Sequence, residues 1–106
     1  MVNALLTTST TGMNLLQPAI VGTTINVNRY HLMTAGAVNV QFFSNSTPIS
    51  GIKFLSGAGT GAAAGYDDIG HFQTNPGEAL YINLSAAVEV SLDYTVNFNA
   101  GLGYIK

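Results

Sequence analysis

The feature that most constrains this chain is the strict alternation of residues 88–98. In that stretch every even-numbered residue is apolar or aromatic, and every odd-numbered residue is polar or acidic. Successive side chains of a β-strand point to opposite faces, whereas a helix would scatter the same residues around its circumference. The pattern therefore predicts a half-buried strand whose inward-facing residues are Val88, Val90, Leu92, Tyr94, Val96 and Phe98.

A second alternating stretch, residues 79–84, lies just before the first one. Only residues 85–87 separate the two stretches, and a connection of that length suits an antiparallel hairpin. We therefore expect residues 79–98 to form a hairpin at the centre of the fold. The inward-facing residues of its first strand are Leu80, Ile82 and Leu84.

The middle of the chain predicts a second hairpin. Residues 30–34 and 38–43 both alternate, and a short turn containing glycine lies between them. Before this hairpin the phase of the apolar residues changes near Asn28 and Arg29, which predicts a β-bulge or a bend in the strand.

Short apolar segments separated by Gly, Pro and Asn continue through the rest of the chain. Residues 49–55 predict a short strand, the Gly/Ala-rich residues 57–65 predict a surface loop, and residues 66–73 predict a further short strand or bend. The total is about seven or eight strands without a helix. This count is typical of an all-β antiparallel β-sandwich or jelly roll, with a small barrel as the alternative.

The first 18 residues are the least regular part of the sequence. Two pairs of leucines flank a segment rich in Thr, Ser and Gly. One interpretation is a first strand followed by a loop and a lead-in. The other divides the chain into an extended arm, residues 1–18, and a single β-sandwich domain, residues 19–106. The arm would then contact a partner through Leu5, Leu6, Leu15 and Leu16.

The composition favours an assembly. The 106 residues are enough for one domain, and charged residues make up only 8% of them, against about 25% in a typical soluble domain. The residues expected to face outward are mostly Thr, Ser, Asn, Gln and Gly. Such side chains lose less than charges do when a partner covers them.

Several classes of partner are disfavoured. Phosphate binding needs clustered cations, but Arg29, Lys53 and Lys106 are scattered and the net charge is −2, so no nucleic acid is expected. No apolar run approaches the ~20 residues that span a bilayer, so no membrane partner is expected. The N-terminus lacks the pattern of a signal peptide, which predicts synthesis in the cytoplasm.

Few residues are arranged for chemistry. Residues 57–65 lack the Gly-Lys-Ser/Thr ending of a phosphate-binding loop, and no Gly-x-Ser-x-Gly nucleophile motif occurs. Glu89 and Asp93 would lie roughly 13 Å apart on one strand, farther than the carboxylates of glycosidases. Asp67, Asp68 and His71 could touch a cation, but adjacent aspartates in a turn are usually solvated. We expect no enzyme, no metal and no cofactor.

One segment resembles a known group of proteins. Residues 71–87 read His-Phe-Gln-Thr-Asn-Pro-Gly-Glu-Ala-Leu-Tyr-Ile-Asn-Leu-Ser-Ala-Ala. They resemble a signature of small proteins encoded by tailed bacteriophages, in which an aromatic-x-Thr segment leads to Gly-Glu-Ala-Leu and then to Asn-Leu-Ser-Ala-Ala. Residues 35–42, followed by a Ser/Thr turn, are also similar to that group. The resemblance covers roughly residues 28–96 and consists of turn and strand residues.

This resemblance implies a structural protein of the virion. Its implied role is that of a decoration, or cement, protein on the capsid surface, commonly a homotrimer bound to the major capsid protein. The alternatives are a tail, fibre-associated or head–tail component, or a carbohydrate-binding β-sandwich. The candidate aromatic residues for a sugar site are Tyr66, Tyr81 and Tyr104.

Overall fold

Ten strands form in the computed structural model, which describes residues 2–100, and no helix occurs in that range. The strands make two antiparallel five-stranded sheets. Sheet A runs in the order β1 (Val2–Thr8), β10 (Val90–Ala100), β3 (Thr23–Thr34) and β7 (Gly61–Ala64), and β8 (Phe72–Gln73) also pairs with β3. Sheet B runs in the order β2 (Gly12–Gln17), β9 (Leu80–Leu84), β4 (Val38–Ser44) and β5 (Thr47–Pro48), and β6 (Lys53–Leu55) also pairs with β4.

The inner faces of the two sheets share one hydrophobic core. The prediction of an all-β antiparallel fold is confirmed, although the strands between residues 2 and 100 outnumber the seven or eight expected. Tyr30, Phe42 and Phe72 form an aromatic cluster between the sheets, with ring centroids 4.9–5.9 Å apart. Phe72 is partly buried, and the residues that are almost fully buried include Ile25, Val27, Leu32, Val40, Phe42, Leu80, Ile82, Leu84, Val90, Leu92 and Val96.

Both predicted hairpins are wrong in their pairing. β9 belongs to sheet B and β10 to sheet A, and the same separation holds for β4 and β3. The two short connections cross from one sheet to the other and contact each other, since the Ala35 amide donates to the Glu89 carbonyl at 2.9 Å. Alternation identifies the buried face of a strand, but a strand in either sheet buries that face equally well. Each long strand of sheet A therefore pairs with a distant segment.

The alternation of β10 predicts its burial well at the centre of the strand. Val90, Leu92, Tyr94 and Val96 are all buried, as expected. Val88 is only half-buried and precedes the strand, and Phe98 is 37% exposed because β10 extends there beyond its pairing with β1.

The predicted bulge is confirmed at Asn28. Thr95 pairs with Arg29 and Val96 pairs with Val27, so Asn28 is an extra residue in β3. Its side chain is fully buried, and its amide donates to the Asp67 carbonyl at 2.9 Å. The bulge therefore fixes the segment that precedes β8 to the middle of sheet A.

The N-terminal segment is not an irregular arm. β1 pairs with β10 over seven residues and β2 pairs with β9, so residues 2–17 complete one edge of each sheet. The division at residue 18 therefore does not separate an arm from the sandwich. The Thr/Ser-rich segment obscured this pattern, because its strands are short and half-exposed.

The Gly/Ala-rich segment also contains a strand where a loop was expected. Gly61–Ala64 pairs with β3. A Cβ atom at Gly61 would lie 2.1 Å from the Leu32 carbonyl oxygen, so this close approach requires glycine. The small side chains of this strand bury little apolar surface. The strand is instead held by its backbone pairing with β3.

Candidate interaction surfaces

The outer face of sheet B, called face B below, carries apolar and amide side chains. Directly paired residues of antiparallel strands point to the same side, so the register places Leu15, Tyr81 and Phe43 in one row. A second row contains Met13, Asn83 and Gln41, and a third contains Asn39 and Phe54.

The exposed side chains of face B are mainly apolar, with the amide of Asn39 beside them. Phe54 is 73% exposed, Leu15 50% and Met13 41%. Among the residues that define face B, the Tyr81 phenol is the only ionisable group. Covering this face requires no dehydration of a charged side chain, which makes it suitable for a protein contact.

The outer face of sheet A, called face A below, has a charged cluster at its centre. Arg29 Nη2 lies 3.3 Å from Asp93 Oδ2, and His31 Nδ1 lies 3.5 Å from Asp93 Oδ1. Thr95 extends the cluster by donating to the Asn3 side-chain oxygen at 2.7 Å. Asp93 therefore has partners on β3, while its other neighbour, Leu5 on β1, is exposed.

The four leucines predicted to contact a partner do not share a surface. Leu16 is buried and Leu6 packs against the core. Each of them follows an outward-facing leucine, and successive side chains of a strand point to opposite faces. Leu5 lies on face A and is 83% exposed, and Leu15 lies on face B. Leu5 and Leu15 are the exposed members of the four, and they lie on opposite sides of the sandwich.

The segment of residues 71–87 joins the two sheets. Thr74 is buried and accepts a hydrogen bond from the Ile25 amide of sheet A at 2.9 Å. Glu78 accepts a hydrogen bond of 2.6 Å from the Ser44 hydroxyl of sheet B. Gly77 has a φ of 76°, a conformation that favours glycine. These residues have structural roles in the described part of the chain.

Tyr94 connects sheet A to the edge of sheet B. Its hydroxyl donates to the Leu16 carbonyl at 3.0 Å and accepts a hydrogen bond from the Gln17 amide at 3.0 Å. Burial raises the pKa of Tyr94 above 10.0, and the bond from Gln17 opposes this effect. The phenol thus holds β2 in place as a neutral group.

The acidic residues before β8 lie on the surface. Within residues 2–100, no group of three or more His, Cys, Asp or Glu side chains is placed to hold a metal ion, so Asp67, Asp68 and His71 do not converge. His71 instead contacts the Gly65 carbonyl at 2.7 Å. The neighbouring Asp68 carboxylate, followed by weaker effects of desolvation and of the charge on Asp67, raises the pKa of Tyr66.

Two features of the surfaces were not anticipated from the sequence. The apolar part of face B was not anticipated, although Phe43 departs from the alternation of its strand and could have indicated an outward-facing aromatic residue. The ion pair of Arg29 with Asp93 depends on the register between distant strands, for which the sequence carries no local signal. Tyr104, a candidate sugar contact, lies outside the described residues.

In comparisons with known proteins, no family model, no curated protein and no solved structure matches this chain. In the described range no helix is long and apolar enough to cross a bilayer. The exposed faces and edges of the sandwich are therefore the basis for a proposal of function.

Proposed function

We propose that this protein is a structural component of a tailed-bacteriophage virion, a decoration protein that binds the outer surface of the capsid. The observation that carries the proposal is face B, an uncharged surface with exposed apolar side chains on a rigid sheet. The resemblance of residues 71–87 to small phage proteins supports the same conclusion. The proposed site is the outside of the virion.

The contact would derive its energy mainly from apolar burial. Fully covering a leucine or phenylalanine side chain contributes about 1.5–3 kcal/mol, and face B offers Leu15, Met13 and Phe54 for this purpose. The neighbouring amides of Asn39 and Asn83 can form hydrogen bonds at the rim. A single contact of this kind is modest.

The proposed mechanism is linkage rather than chemistry. A protein that binds only the assembled, expanded lattice stabilises that lattice by its own binding free energy. Binding of many copies to one shell makes the total large. The proposed partners are the major capsid protein and other copies of this chain, with a trimer implied by the resemblance. Nucleic acid and membranes are not proposed as partners, and catalysis is not proposed.

A capsid-binding experiment tests the proposal. Purified protein is added to capsids stripped of their decoration protein, and the bound fraction is measured by sedimentation. Leu15→Lys should weaken binding about tenfold or more, because it removes apolar burial and adds a charge to face B. Met33→Lys is the matched control, since Met33 is 43% exposed on face A.

Equal binding by Leu15→Lys and the native protein would contradict the assignment of face B. The number of copies per particle separates a decoration protein from the other virion components: hundreds are expected for decoration, and a few or tens for a tail or head–tail component. A chain that lacks residues 1–17 would lose strands β1 and β2, so weaker binding by it would not report on the capsid contact alone.

One observation favours carbohydrate binding as a second candidate. Phe54 borders an open cleft of about 390 Å³ that is also lined by Asn39, Ser56 and Ser85. An exposed aromatic ring beside an amide and hydroxyl groups could hold a sugar. Binding of the isolated protein to a glycan array, with loss of binding in Phe54→Ala, would favour this function.

A further inference from the structure

The free side of β1 is an unsatisfied sheet edge. Within residues 2–100, β1 pairs only with β10, so the backbone N–H and C=O groups on its other side have no strand beside them. Such an edge is a template for another strand, and proteins usually protect their edges with a charge, a proline, a bulge or a very short strand.

The other described edges carry such protection, and β1 does not. β5 has two residues including Pro48, β6 has three residues including Lys53, β7 has four residues, β8 has two, and β2 contains a bulge at Leu16. β1 has seven residues, pairs with β10 without a bulge, and contains no proline, glycine or ionisable side chain. This difference identifies β1 as the edge available for pairing.

We propose that β1 pairs with β1 of a second copy of this chain, in an antiparallel register about a twofold axis at Leu5. In this register Leu5 faces the partner's Leu5, Ala4 faces the partner's Leu6, and Asn3 faces the partner's Thr7. The contact is isologous, so one strand supplies both halves of the interface.

The side chains of β1 fit this register. Leu5 is 83% exposed, so the two leucines would cover each other on face A. Asn3 and Thr7 are exposed and can form hydrogen bonds across the pair, while Ala4 and Leu6 are half-buried and would extend the core. Residues 2–17, which form the edge strands β1 and β2, contain no ionisable side chain. The contact therefore brings no like charges together along these strands.

This contact differs from the trimer implied by the resemblance and does not rest on the proposed function. Pairing through β1 alone gives two chains, and pairing combined with a threefold contact at another surface gives six. In either case, loss of the β1 contact halves the number of chains in the particle.

Sedimentation velocity of the full chain tests the proposal. The native protein should have a mass of two or six 11.0 kDa chains. Leu5→Lys should halve that mass at a concentration where the native particle is intact and weaken the contact about tenfold or more, because two ammonium groups would face each other at the axis. Leu5→Glu should weaken the contact at least as much, because its carboxylate would face the partner's and also lie opposite Asp93 of its own chain. A mixture of the two variants should restore the native mass, since opposite charges then face each other.

Met33→Lys is the matched control, because it adds the same charge to face A two strands away from the edge. It should leave the mass unchanged. Circular dichroism and thermal unfolding of every variant confirm that each is folded. A monomeric native protein, a particle unaffected by Leu5→Lys, or a mixture of variants that does not reassociate would each overturn the proposal.

Discussion

Faces A and B differ in the charged side chains that they carry. Face A has Arg29, His31 and Asp93 at its centre, while face B has exposed apolar and amide side chains. The two faces belong to sheets of the same architecture, so the difference does not arise from the fold. A paired charged cluster favours contact with water, whereas an uncharged apolar face favours contact with protein. Under the proposed function, face A is the side that faces solvent and face B is the side that faces a partner.

The largest effect is expected from a substitution that disrupts the packing between the two sheets, because both faces depend on it. Phe42 on sheet B is fully buried and its ring centroid lies 5.3 Å from that of Tyr30 on sheet A. Phe42→Ala should lower the free energy of unfolding by about 3–5 kcal/mol, because it leaves a cavity between the sheets. Urea denaturation measures the loss. A reduction below 1 kcal/mol would mean that the sheets do not depend on this contact.

A smaller effect is expected where sheet A holds the edge of sheet B. Tyr94→Phe removes the bonds to Leu16 and Gln17 and should cost about 1–2 kcal/mol. The pKa of Tyr94 is raised in the folded state, so its contribution to stability is present below pH 10.0 and declines as the pH rises through the folded-state pKa. The variant should therefore lose less stability between pH 9 and 11, as measured by thermal unfolding.

Tyr66→Phe is the control for removing a phenolic hydroxyl that does not join the sheets. The pKa of Tyr66 is also raised, but this residue is 50% exposed and does not join the sheets. The variant should be as stable as the native protein at pH 7. If Tyr94→Phe and the native protein lost stability equally above pH 10, Tyr94 would not be the titrating group.

The smallest effect is expected on face A. Asp93→Asn removes the ion pair with Arg29 while keeping a side chain of the same shape. Both side chains are about one-third exposed, and pairs of this kind contribute about 0–1 kcal/mol. Urea titrations without guanidinium salts, at low and at high salt, should show that the variant loses less than about 1 kcal/mol of unfolding free energy. A loss of several kcal/mol would mean that face A is covered in the native assembly.

The sequence predicts strands better than it predicts their neighbours. The alternation of β10 identifies its buried residues, and the phase change at Asn28 identifies the bulge, because both signals are local. The connection after β9 has a length that suits a hairpin, yet it crosses the core. The choice between these paths depends on how much apolar surface the whole chain buries, which no short segment determines.

The candidate surfaces show the same limit. Two adjacent leucines in a strand must point to opposite faces, but the sequence does not say which one points outward. The register of β1 against β10 decides this for Leu5 and Leu6, and the register of β2 against β9 decides it for Leu15 and Leu16. The choice of the leucines as candidate contacts was therefore possible from the sequence, while their grouping into faces required the pairing of distant strands.

The pairing of β1 also has a consequence for synthesis of the chain. Val2 pairs with Val96, so the first strand cannot join its sheet until the last strand has left the ribosome. Sheets built from such distant pairs fold slowly. Until β10 is available, β1 is an unpaired, uncharged strand, and such strands are prone to aggregate. High expression should therefore be limited by the late arrival of β10 rather than by the stability of the finished protein.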